Sequence, residues 1–300
     1  MEPFEQDRGD DTMHGKDGEG FRIPLKHGTH VPHTLANRLV RQAPPEVIQV
    51  ILSLMQEMQR ILGSNLIGLY VYGSLVTGDF DPATSDIDLL AALSDPLDEQ
   101  TFAALKQMHD DLGMRYPLWA NPSRIEVHYW SLAGLQTFKT QANAMAVISP
   151  GEPLHMIEAG RHYLLNLYVV QQHGLTLHGP EPSSLMEPIS RAEFVASVRE
   201  HVRQWPAWVT SSRDWRPAQA YAILTLCRAL YGVVHGEQVS KLRAARWVQG
   251  YAPAWAGLIA DALQWRQNWR AERGESEEAA AAFPNTVRFV EWVVKRIVDS

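Results

Sequence analysis

Apolar residues recur at Val47, Val50, Ile51, Leu54, Met58, Ile61 and Leu62, a spacing that lays one buried stripe along a helix. Pro44 and Pro45 suit its first turn, and Gly63 closes it. A short apolar run from Leu66 to Tyr72 ends at Gly73 and predicts a buried strand; Ile87 to Leu93 predicts a second. A helix is expected from Asp98 to Leu112. Residues Ile125 to Trp130 alternate, with Ile125, Val127 and Tyr129 on one face and Glu126, His128 and Trp130 on the other, which predicts a third strand. Beyond residue 155 the period lengthens, and helices are expected over 155–178, 191–209, 215–235, 241–250, 253–271 and 276–298. Gly179-Pro180 and Trp215-Arg216-Pro217 mark breaks.

The change of period divides the chain. Residues 1–35 are acidic, rich in glycine and almost without periodic apolar positions, and read as a flexible leader. A mixed α/β domain is expected over 36–150 and an all-helical one over 151–300, with the boundary at Ser149-Pro150-Gly151. The fold class is therefore α+β.

Composition narrows the function. The single Cys227 excludes an internal disulfide framework and any zinc site needing several cysteines; it suits a cytoplasmic protein and reads as a small buried hydrophobe. No apolar run approaches the roughly 18 residues that would span a bilayer. The net charge is −7 and the sequence pI about 5.9. That balance argues against tight binding to a polynucleotide backbone and fits a small, cationic or polyhydroxyl partner.

The chemistry concentrates in Tyr72-Gly73-Ser74, eleven further residues, and Asp86-Ile87-Asp88. Carboxylates at i and i+2 of a strand share one face, so Asp86 and Asp88 form one edge suited to a hard cation such as magnesium. Gly73 removes the side chain that would obstruct a phosphate, and Ser74 opens a helix whose first N–H groups face an anion. Thr84-Ser85 offer donors to orient the aspartates. Glu126 interrupts an apolar strand, and a buried carboxylate wants a reason. It suits either a third metal ligand or the general base that takes a proton from an attacking hydroxyl. His128 shares its face and reads as a satisfied strand histidine or a tuning partner. The spacings of His162, His173 and His178 suit no metal pair, and most of the ten tryptophans read as helix-packing residues.

Gly73-Ser74, Asp86-x-Asp88 and Glu126 resemble the signature of the polymerase-beta-like nucleotidyltransferases. Over roughly residues 40 to 298 the chain resembles the aminoglycoside (streptomycin and spectinomycin) 3″-adenylyltransferases. The resemblance runs through Leu69 to Ser74 and Ser85 to Leu90, then Asp214-Trp215, Leu224 to Arg228, Lys241 and Trp247-Val248. It implies an enzyme with a site between two domains, where ATP is a co-substrate and Mg2+ the cofactor; a monomer is expected. Ser74 would contact the triphosphate, Asp86 and Asp88 would hold the metal, and Glu126 would act as base. Arg228 and Lys241 would reach the phosphates, and Asp214 would contact the acceptor. The chain departs from that family at a second acceptor carboxylate, replaced by Ala218, and at Trp269, where the family has a tyrosine near the nucleotide. No tryptophan stands between Trp130 and Trp205, where the family places an aromatic drug contact. An antibiotic acceptor leads; another metabolite or a protein as acceptor, and a non-catalytic nucleotide-binding regulator, are the alternatives.

Overall fold

A computed structural model describes residues 43–120, 124–267 and 276–300. The expected leader over 1–35 and Trp269 lie outside the described residues. Strands are β1 (Leu66–Tyr72), β2 (Ile87–Leu93), β3 (Ile125–Ser131), β4 (Asn143–Ser149), β5 (Glu152–Ala159) and β6 (Leu175–His178). The long helices are α1 (Pro45–Leu62), α2 (Glu99–Arg115), α3 (Leu164–His173), α4 (Arg191–Val202), α5 (Arg216–His235), α6 (Lys241–Tyr251), α7 (Ala256–Gln267) and α8 (Glu277–Val298).

The strands form one sheet in the order β5-β4-β3-β2-β1-β6. Only β2 and β3 run parallel, and α2 supplies the crossover such a pair requires. Alternation gives the sheet two different faces. Leu69, Val71, Leu89, Ala91, Val127 and Tyr129 turn toward α1 and α2, where His109 of α2 meets the Tyr129 hydroxyl at 2.8 Å. Tyr70, Leu90, Ala92, Trp130, Met145 and Val147 turn the other way. They join one continuous apolar core with α3, α4, α5 and α8 through Leu164, Phe194, Leu224 and Phe289.

Two of the expected helices are broken up. The pattern over 155–178 is not one helix: it resolves into the end of β5, a turn at Arg161–Tyr163, α3 and β6. Hence the boundary placed at residue 150 falls inside the β4–β5 hairpin, whose turn is Pro150-Gly151, with Gly151 at φ 86°. The sheet continues to His178. The reason is that β5 lies at the sheet's edge with several exposed positions, Met156 among them, so its alternation is diluted by polar residues. The expected helix over 191–209 stops at Val202 and gives way to short turns, Trp205–Trp208 and Val209–Ser212. No helix among the described residues is long and apolar enough to cross a membrane.

Candidate active site

Tyr72, Asp88 and Glu126 stand directly opposite one another at the ends of β1, β2 and β3. They occupy the face that the C-terminal helices cover. Asp86 precedes Asp88 by two residues and shares its side. The row exists because β1 ends where the parallel pair β2 and β3 begins, so second positions of two strands meet the last position of a third.

Gly73 follows Tyr72 with φ 71°, in the region that favours glycine, and a Cβ there would collide with the Asp88 carboxylate. The helix it opens is a single turn, Ser74–Thr77, whose Val76 and Thr77 N–H groups return to the Gly73 carbonyl. Ser74 does line the cavity described below. The expected role of Ser85 is not seen: its hydroxyl accepts from the Asp81 N–H at 3.0 Å. Arg124 positions Asp86 instead. Its buried guanidinium donates to the Pro82 carbonyl at 2.9 Å and to the Ser85 carbonyl, stacks 4.2 Å over Trp119, and brings Nε to 4.0 Å from Asp86 Oδ1.

The carboxylates repel one another. Burial, then Glu126 and Asp86, push Asp88 well above the usual carboxylate range, while Lys241 and Arg228 pull it back. Burial also raises Glu126, opposed by a hydrogen bond from Tyr72. The Tyr72 hydroxyl lies 3.1 Å from Glu126 Oε1 and 3.2 Å from His128 Nδ1, and His128 Nε2 lies 3.2 Å from the same Oε1. Burial lowers His128 to about 4, so its imidazole is neutral near pH 7. Glu126 thus accepts a hydrogen bond from Tyr72 through one oxygen, with the neutral His128 packed beside both.

These acids open into a cavity of about 600 Å3 whose far wall is helical. Arg228 of α5, Lys241 at the start of α6 and Arg266 of α7 line it. Burial and the two arginines lower Lys241 to about 7, and its ammonium sits 4.3 Å over the Tyr221 ring. Burial, then Arg266, also lowers Arg228. Trp208, Trp215 and Tyr221 line the same wall, each exposed by at least 40%. Of the residues expected from the sequence, Gly73, Ser74, Asp86, Asp88, Glu126, Arg228 and Lys241 all line this cavity. Asp214 is not among the lining residues: its carboxylate lies 3.8 Å from Arg213. Asn166 and Arg266 line it without having been given a role, and so does Tyr72, which was read only as part of its motif. Only Tyr72 carried a local signal, as the last residue before Gly73.

Among the described residues, no three carboxylate, imidazole or thiol side chains form a group that could hold a metal ion by themselves. The donor set still fits a hard divalent cation. Asp86 and Asp88 are paired oxygen donors, and the space left by the missing Gly73 side chain admits the Asp88 carboxylate. Magnesium in such sites takes one or two protein carboxylates and completes its shell with phosphates and water.

A family model described as nucleotidyltransferase domain matches residues 51–137. Another, described as aminoglycoside adenylyltransferase, C-terminal domain, matches residues 184–294. An aminoglycoside (3″)(9) adenylyltransferase of Klebsiella pneumoniae is 26% identical over 265 residues, spanning 78% of this chain and 88% of that protein. One of Rhizobium radiobacter is 25% identical over 282 residues, spanning 85% and 94%. The solved spectinomycin adenyltransferase from Enterococcus faecialis, with ATP and spectinomycin, superposes with a TM-score of 0.65 at 18% identity. That match spans 83% of this chain and 98% of that one, and it speaks for the fold. The chain thus matches a nucleotidyltransferase domain followed by an aminoglycoside adenylyltransferase C-terminal domain, in that order, and side chains of both face one cavity.

Proposed function

We propose that this protein transfers AMP from ATP to a hydroxyl of a small aminoglycoside or aminocyclitol in the cytoplasm, releasing pyrophosphate. The observation that carries the reading is the acidic row of Asp86, Asp88 and Glu126 facing Arg228, Lys241 and Arg266 across one cavity. Asp86 and Asp88 would hold Mg2+, which when bound neutralises phosphate charge and orients the triphosphate. Gly73 lets the Asp88 carboxylate sit against the turn, and Ser74 offers the phosphates a hydroxyl. Arg228, Lys241 and Arg266 stabilise the charge that builds on the departing pyrophosphate. Glu126 takes the proton from the acceptor hydroxyl. The freed oxygen bonds to the α-phosphorus as the bond from that phosphorus to the bridging oxygen of the β-phosphate breaks. The hold of Tyr72 on one oxygen of Glu126 favours the base over the third metal ligand. The functional division falls after β6, with the sheet layer ahead of it and the helical layer beyond.

A second reading concerns the acceptor. No carboxylate lines the helical wall of the cavity among the described residues, since Ala218 stands in it and Asp214 does not. This favours an acceptor of lower positive charge, including a metabolite outside the antibiotics.

Purified protein with ATP, Mg2+ and a panel of aminocyclitols and aminoglycosides should release pyrophosphate with at least one of them. Silence across the panel would remove the antibiotic assignment. Glu126→Gln should bind ATP nearly as well as the unchanged protein and turn over at least about 100-fold more slowly; unchanged turnover would exclude it as the base.

A further inference from the structure

The start of α6 carries Lys241, and a carboxylate from the opposite layer holds it in place. Asp79 Oδ2 accepts a hydrogen bond from the Leu242 N–H at 3.0 Å. The helix already has a cap of its own: the Ser240 side chain accepts from the Arg243 N–H at 3.2 Å. What Asp79 adds is therefore location. Its own N–H returns to the Ser74 carbonyl at 3.3 Å, so it is a direct extension of the Gly73-Ser74 turn. Asp79 lies within the residues matched to the nucleotidyltransferase domain, and Leu242 within those matched to the helical domain. Both Asp79 and Lys241 line the cavity.

We propose that Asp79 is a positioning residue for nucleotide binding, clamping the first turn of α6 to the glycine–serine turn so that Lys241 is set at the triphosphate. The inference rests on the reading of Lys241 as a phosphate ligand. A hydrogen bond to a charged acceptor is among the stronger ones, and this one fixes the helix end directly beside the lysine. The clamp acts through the accepting oxygen, so an asparagine at the same place preserves it.

The test is ATP binding with Mg2+, measured by titration calorimetry on the full chain, for Asp79→Ala, Asp79→Asn, Lys241→Ala and the double variant Asp79→Ala/Lys241→Ala. A thermal melt on each confirms folding. Asp79→Ala should weaken ATP binding about tenfold, and Asp79→Asn should stay within about threefold of the unchanged protein. The double variant should bind no worse than Lys241→Ala alone, because a clamp without its lysine has nothing left to position. Wild-type affinity in Asp79→Ala, or losses that multiply in the double variant, would overturn the proposal. If Asp79→Ala does not fold, Asp79→Asn decides: a loss as deep as that of Lys241→Ala overturns it. Unchanged ATP binding in Lys241→Ala would sink the clamp and the phosphate role of Lys241 together; each of the other adverse results leaves that role standing.

Discussion

Lys241 shows how a single side chain reports on its surroundings. Its ordinary pKa is about 10.5, and burial with two neighbouring arginines brings it to about 7. In the free protein, then, it loses its proton as pH rises through neutrality. A triphosphate placed against it favours the ammonium and restores the ordinary range. Above pH 7 ATP binding should therefore take up a proton; well below pH 7 it should not, because the lysine is already charged. Calorimetry at pH 8 in two buffers of different ionisation enthalpy should show uptake approaching about one proton, and the uptake should vanish in Lys241→Met. Equal uptake in that variant would assign the proton elsewhere. Asp88 and Glu126 shift the opposite way, upward, because a carboxylate pays for burial and for its neighbours' charge until a cation arrives.

At the scale of elements, the helical layer is tied by a buried polar knot. Gln219 of α5 is fully buried. Its amide donates to the Arg213 and Ala279 carbonyls, each at 2.8 Å, and its oxygen accepts from the Thr286 hydroxyl of α8 at 2.8 Å. All the hydrogen-bonding capacity that matters is used, in a place water does not reach. Gln219→Leu would fill similar volume but remove the partner amide from two carbonyls and a hydroxyl. It should cost roughly 2–4 kcal/mol of stability. Urea unfolding checks this, and a loss below about 1 kcal/mol would mean that water satisfies those groups instead. The knot also sets the first turns of α5, which present Pro217, Ala218 and Tyr221 to the cavity.

Across the whole molecule the two matched domains share one core. The sheet face bearing Tyr70, Leu90 and Trp130 is buried by the same cluster that contains Phe194, Leu224 and Val293. A shared core couples the layers, so thermal unfolding followed by far-UV circular dichroism and by tryptophan fluorescence should give a single coincident transition. Two separated transitions would mean that the layers are independent. A fragment ending after β6 should expose that apolar face and aggregate.

The sequence alone determined most of the local elements and named most of the charged side chains that line the cavity. Seven-residue runs such as Leu66 to Tyr72 and Ile87 to Leu93 are buried on both sides, so they are almost entirely apolar and their limits were legible. A carboxylate within such a run, as at Asp88 and Glu126, stands out because burial makes it costly. Legibility ended where the pattern depends on a distant partner. The edge strand β5 lacks a full buried face and β6 is only four residues long, so their periods merged with the helix between them. Ser85 was expected to orient a carboxylate, but that work falls to Arg124, from 38 residues further along. Asp214 carries the right residue type, yet the turn before α5 directs it to Arg213 rather than to the cavity. Strand register aligns Asp88 with Glu126, and the fold of the chain sets Asp79 at the start of α6. These were decided by tertiary structure alone, because hydrogen bonds between residues far apart in sequence leave no period along it.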